Sequence, residues 1–221
     1  MQTTIEPGFA AQVKAATDPA HRDAEGSQFM SRLLDGKLPR EAYVALLSQQ
    51  WFIYSALEAG GRSLAADPLV APFLHDSLLR ESALEQDLQF HLGAGWREQI
   101  TALPATERYT ARLREVSATW PAGFVAHHYL RYLGDLSGGQ IIRRIMERTY
   151  GFETDGVRFY IFDQIPKPKP FKDDYRAAMD ALALDDDEKL RFIDEVSDAF
   201  RFNRDVFNEL DGEVARMRAD G

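Results

Sequence analysis

The sequence contains no cysteine. That excludes disulfides, thiolate catalysis and cysteine-held iron–sulfur clusters, and it fits a cytosolic protein. No apolar run approaches the roughly 20 residues of a membrane span. The start, MQTTIEPGFA, lacks a basic segment followed by an apolar core, so no signal peptide is expected, and RMRADG at the end carries no anchor. GxGxxG, P-loop, GxSxG and HExxH patterns are all absent, so no nucleotide fold, serine-hydrolase elbow or zincin is signalled. No histidine follows a glutamate by three positions, which weighs against the usual di-iron bundle. Positive charge is in deficit: Lys and Arg number 26 against 35 Asp and Glu, for a net charge of -9. This argues against a generic nucleic-acid binder while allowing local basic patches.

What is present is helical periodicity. The 221 residues are 45% hydrophobic, enough for a sizeable core in one domain. AAQVKAA, REAYVALLSQQWFIYSALEAGGRSL, DSLLRESALEQDLQFHL, TERYTARLREVSATW and EKLRFIDEVSDAFRFNRDVFNEL space apolar residues three and four apart. Leu38-Pro39 and Pro121 mark helix starts, and Asp185, Asp186 and Asp187 suit the start of the last helix. One β-like piece, VRFYIFDQI at 157–165, runs into PKPKPF, read as a proline-rich connector that is not helical. Pro19 is read either as the first turn of a new helix capped by Asp18 or as a kink. The expected product is a single all-α domain over 1–221, with roughly seven to nine helices.

The chemistry-bearing residues cluster in two places. YLGDLSGGQ, residues 132–140, puts Gly134, Gly138 and Gly139 in one helix, each costing it about 1 kcal/mol relative to alanine. A bare strip lets a flat ligand lie against the backbone, or another helix pack closely. Asp135 in that strip needs partners, and Arg131 stands four residues before it. In the other cluster, His21 and Glu25 are four apart, so the carboxylate can hold the ring of a metal-binding histidine. Lys14 lies seven residues before His21, about 10 Å along a continuous helix. An ordinary exposed histidine beside an ion pair has the same spacing. Lys172 and Arg176 put two cations on one face, which a solvated face also does. Phe200, Phe202 and Phe207 suit a core as well as a cofactor wall.

Together these residues resemble heme oxygenase. RYLGDLSGGQ is similar to the family's diagnostic stretch on the helix over the distal face of the heme. HRDAEGSQFM resembles its proximal-histidine segment, and FIYSALE, ALEQDLQF, FKDDYRAAMD and AFRFNRDVFNEL resemble further helices in order. The likeness spans about residues 8–212 and points to the soluble bacterial type. It implies a multi-helix domain holding heme between a proximal and a distal helix. His21 would be the iron ligand and Glu25 its partner. Gly134, Gly138 and Gly139 would form the distal strip. Asp135 would be the catalytic acid, acting through water, with Tyr54, Arg131 and Asn203 in its hydrogen-bond network. Lys14, Tyr129, Lys172 and Arg176 would bind propionates, and Met30 and Phe207 would form an apolar wall. Pro19 departs from the pattern.

The implied activity is oxidative cleavage of heme b, both cofactor and substrate, at a meso carbon (the α one expected). O2 and external electrons would yield biliverdin, carbon monoxide and ferrous iron. No intrinsic flavin, nicotinamide or iron–sulfur centre is expected. Electrons would come from ferredoxin or a flavin reductase system docking near Lys14, Lys172 and Arg176. A cytoplasmic monomer without nucleic-acid or membrane partners is expected, for iron acquisition or bilin supply. The alternative is a heme-binding storage module without turnover, which would not need Asp135.

Overall fold

The periodicity is realised along almost the whole chain in the computed structural model, which describes residues 7–219. Among them run nine α-helices: α1 (Phe9–Glu25), α2 (Gln28–Leu34), α3 (Arg40–Ser63), α4 (Glu81–Leu92), α5 (Pro104–Thr119), α6 (Pro121–Gly134), α7 (Gln140–Tyr150), α8 (Pro168–Asp180) and α9 (Asp186–Ala219). A five-residue π turn, Asp135–Gly139, joins α6 to α7. No strand occurs among the described residues.

Two helices form the interior. α3 buries Tyr43, Leu46, Leu47, Ile53, Tyr54 and Leu57 and packs against α4, α5 and α9. α6 is buried nearly all round, from Ala122 to His128, as expected for a helix enclosed by neighbours. Gly60 lets them approach: a Cβ there would stand 2.9 Å from the Phe124 ring. α1 closes the assembly by laying Phe9, Ala10 and Val13 against α9, with Phe9 edge-on to Phe192.

Buried polar groups fix the register. Glu195 of α9 accepts from Arg112 of α5 at 2.8 and 2.6 Å and lies 2.7 Å from Nε2 of His127 on α6. Burial would raise the Glu195 pKa, but these hydrogen bonds bring it down to about 2. His128 Nδ1 lies 2.8 Å from the Tyr175 hydroxyl, tying α6 to α8.

Three sequence expectations are corrected. The β-like stretch forms a 3-10 turn, Arg158–Tyr160, with no partner strand. Its amides at 158 and 159 instead donate to the Asp87 carboxylate at 2.9 and 2.8 Å. PKPKPF is not wholly non-helical, because α8 begins at Pro168. Pro168 and Pro170 sit in its first turn, where a missing N–H costs no helix bond. Pro19 starts no new helix, since α1 runs unbroken through it to Glu25.

Candidate active site

A cleft opens between α1, α2, α9, the end of α6 and the 158–160 turn. One wall comes from α1, where His21 Nε2 lies 3.1 Å from Glu25 Oε1. The pair remains 45% and 60% exposed. Glu25 holds one ring nitrogen and leaves the other for a ligand. Phe200 of α9 meets the His21 ring edge-on at 5.3 Å. Met30 and Phe207 add apolar lining, as anticipated.

The opposite wall is the π turn. Such turns insert a residue into a helix and recur at functional sites. A Cβ on Gly134 or Gly138 would meet nothing within 4 Å, and both glycines line the cleft. Gly139 differs. Its Cβ would stand 2.9 Å from the Tyr160 ring, so its bareness also serves packing within the protein.

Asp135 is partly accessible from the cleft and is anchored from behind. The Tyr54 hydroxyl, fully buried on α3, donates to Asp135 Oδ2. Oδ1 has no protein partner among the described residues. Arg131 makes no direct bond to Asp135, contrary to the simplest reading of their spacing. Its Nη1 donates to Asn203 Oδ1 at 2.7 Å and its Nη2 to Gln50 Oε1, with the guanidinium 4.8 Å above the Tyr54 ring. Burial pushes the Asp135 pKa up to about 6, although the Arg131 charge, the Tyr54 hydroxyl and Arg80 all pull it down. The result is a carboxyl group that changes charge near neutral pH, facing open space across from an imidazole.

Of the anticipated site residues, His21, Glu25, Met30, Arg131, Gly134, Asp135, Gly138, Gly139, Asn203 and Phe207 line this cleft. Tyr54 stands behind the wall. The four anticipated anion-binding residues lie outside the lining. Lys14 is exposed on α1, and Tyr129 is half-buried on α6 with Tyr175 near it. Lys172 Nζ donates to Ser137 Oγ at 2.9 Å, bringing α8 to the edge of the π turn. Burial and the neighbouring Arg176 charge lower the Lys172 pKa. Arg176 pairs with Asp173 at 3.1 Å.

Sequence reasoning missed Gln50, which orients Arg131, and the aromatic floor of Phe159 and Tyr160. Gln50 carried no local signal, being an ordinary polar residue in a helical repeat. Phe159 and Tyr160 were visible as aromatics but were assigned to a strand.

Among the described residues no group of three or more His, Asp or Glu could hold a metal, and no helix is long and apolar enough to cross a membrane. The family model for heme oxygenase matches residues 7–209. Heme oxygenase 1 of a Synechocystis strain is 38% identical over 208 residues, covering 94% of this chain and 87% of that protein. Heme oxygenase 1 of Rattus norvegicus is 37% identical over 211 residues, covering 94% and 73%. The crystal structure of the Synechocystis heme oxygenase-1 in complex with heme superposes with a TM-score of 0.91 at 37% identity, covering 96% of each chain.

Proposed function

The chain belongs to the heme oxygenase family, and from that premise we propose that it opens the heme ring at the α-meso carbon, releasing biliverdin, carbon monoxide and ferrous iron. The observation that carries the reading is the pairing, across one cleft, of a carboxylate-held imidazole with a bare glycine wall beside a partly buried acid. The residues fit heme as substrate. His21 has a ring nitrogen to offer iron, and the strip at Gly134 and Gly138 admits a planar body that any side chain would displace.

Heme with O2 and external electrons supplies the oxidative chemistry. The chain's own residues orient and protonate. Glu25 holds the His21 ring and would fix the orientation of the nitrogen that His21 offers to iron. Gly134 and Gly138 leave the distal wall bare, so a flat ring would lie close against the backbone there. Asp135, held through Oδ2 by Tyr54, has Oδ1 free to order a water and pass it a proton. Arg131, set by Asn203 and Gln50, supplies the positive field that lets the carboxyl ionise near neutral pH. Lys14, Tyr129, Lys172 and Arg176, outside the lining, would hold the propionates and so select the meso carbon that is cleaved.

The same reading makes residues 8–212 one heme-binding domain working as a cytoplasmic monomer. A separate acidic donor such as ferredoxin supplies electrons at the basic rim of Lys14, Lys172 and Arg176. A storage role would leave the Asp135–Tyr54 arrangement without a purpose.

The test is an absorption titration with hemin followed by a reductant system in air. A one-to-one Soret band that decays as a broad red biliverdin band grows supports turnover. A Soret band that persists with a competent donor present refutes it. Loss of ionic-strength dependence in ferredoxin-driven turnover would refute the docking rim.

A further inference from the structure

A second cleft shares no residue with the first and lies against a different face of α6. Leu57, Leu74, Leu78 and Leu79, the last 45% exposed, give it an apolar side, while Arg62, His75 and Asp76 also line it. Two buried polar side chains line it, Glu58 at 5% exposure and His128 at 4%.

Each has one polar atom engaged and one left over. Glu58 Oε1 accepts the amides of Arg80 at 2.5 Å and Glu81 at 3.0 Å, and the Tyr132 hydroxyl at 3.4 Å. Oε2 has no protein partner among the described residues. His128 Nδ1 is held at 2.8 Å by the Tyr175 hydroxyl, and Nε2 has no partner either. The Glu58 carboxylate is therefore bonded only by neutral donors. The nearby Arg80 guanidinium donates to the carbonyls of Leu78, Ile161 and Ser77, and Arg62 to Glu81. A buried carboxylate without a bonded cation favours a ligand that brings one. Burial raises the Glu58 pKa, against the Arg80 and Glu81 amides and the Arg62 charge, which lower it.

We propose that this second cleft binds a small primary amine carrying an apolar body, its ammonium bonded to Glu58 Oε2 and His128 Nε2 and its body against the leucines. The ammonium donates to the carboxylate oxygen, and Nε2 accepts when Tyr175 takes the proton of Nδ1. The inference is independent of the reading of the first cleft.

The probe is phenethylamine, titrated into the full-length, substrate-free chain and followed by calorimetry and by the ring-proton NMR signals of histidine. Saturable one-to-one binding that shifts the His128 signal is expected. Glu58→Gln keeps an oxygen for the Arg80 and Glu81 amides but removes the charge, and should weaken binding about tenfold or more. Ala65→Trp, at an exposed position in the cleft lining, should abolish binding while the hemin titration stays normal. Phenethyl alcohol should bind at least about tenfold more weakly than the amine. Nα-acetyl-lysine methylamide, which stands for a lysine of a partner protein, should also bind more weakly. No saturable binding would overturn the proposal. So would binding that hemin displaces and Ala65→Trp leaves intact, which would put the amine in the first cleft. Equal binding of the alcohol would remove the ammonium from the proposal, and equal binding of the lysine analogue would remove the apolar body.

Discussion

The two walls of the first cleft are built on different plans. The wall on α1 is local: His21 and Glu25 are one helical turn apart, 45% and 60% exposed, and 3.1 Å from each other. The facing wall is assembled from distant chain segments. Asp135 on the π turn is held by Tyr54 of α3, and Arg131 of α6 is set by Gln50 of α3 and Asn203 of α9. Arg131 and Asn203 are no more than 9% exposed, and Tyr54 is fully buried. The first wall can be altered without disturbing the fold. The second is part of what holds the fold together, so its chemistry and its stability are coupled.

The largest effects should separate the walls by spectrum rather than by rate. His21→Ala should reduce turnover to background and move the Soret band. Asp135→Ala should keep the Soret band while biliverdin formation falls by about 10² to 10⁴-fold, the usual range for a positioned acid. Hemin spectra and single-turnover product assays check both. An unmoved Soret band in His21→Ala would show that another side chain ligates the iron.

The next effect is thermodynamic and belongs to the distal wall alone. The Asp135 carboxyl sits near pKa 6 in the folded chain, against about 3.9 when unfolded. The folded state therefore holds its proton more tightly, and this group's contribution to stability falls as pH rises from about 4 to 6. Asp135→Asn cannot ionise. Above pH 7 it should be more stable than the parent by roughly 1–3 kcal/mol, and the gain should vanish below about pH 4. Melting curves at pH 4 and 8 decide it, and a gain independent of pH would refute the ionisation account. Glu25→Gln on the open wall should show no comparable gain.

Adjacent glycines sharpen the contrast further. Gly139→Ala must displace the Tyr160 ring and should cost about 1–3 kcal/mol. Gly138→Ala meets nothing within 4 Å and should stay within about 1 kcal/mol of the parent, yet narrow the cleft and change turnover or the isomer of biliverdin formed. Denaturant melts with chromatography of the product separate packing from function. The smallest effect is expected at the mouth. Lys172→Ala should weaken heme binding by about 1 kcal/mol, and the loss should shrink as salt is raised.

What could be read from the sequence follows the same division. The His21–Glu25 pair and the stripes of α3, α5 and α9 are local periodicities, and they emerge as expected. Asp135 and the glycines were conspicuous because they break helix propensity where nothing local compensates. The π turn was not legible, since an inserted residue leaves no spacing signature beyond that glycine density. The i,i+4 rule also misassigned Arg131, whose hydrogen bonds are drawn off by Gln50 and Asn203, 81 and 72 residues away in sequence. VRFYIFDQI failed for a related reason. β propensity reports fitness for a pleated surface, and no neighbouring strand exists among the described residues to provide one.

Pro19 gives the open wall one more property. It has no amide hydrogen for the Ala15 carbonyl, so α1 is joined to its own last turns by one bond fewer than its length implies. Only Ala20 separates it from His21. The cleft thus has one wall tied by buried hydrogen bonds and one whose helix lacks a backbone bond beside His21. Amide hydrogens from Ala20 to Glu25 should exchange faster than those of α6, and binding of hemin should slow them most. On the proposed reading, heme would enter and its product leave by bending one helix, with Asp135 and its supports undisturbed.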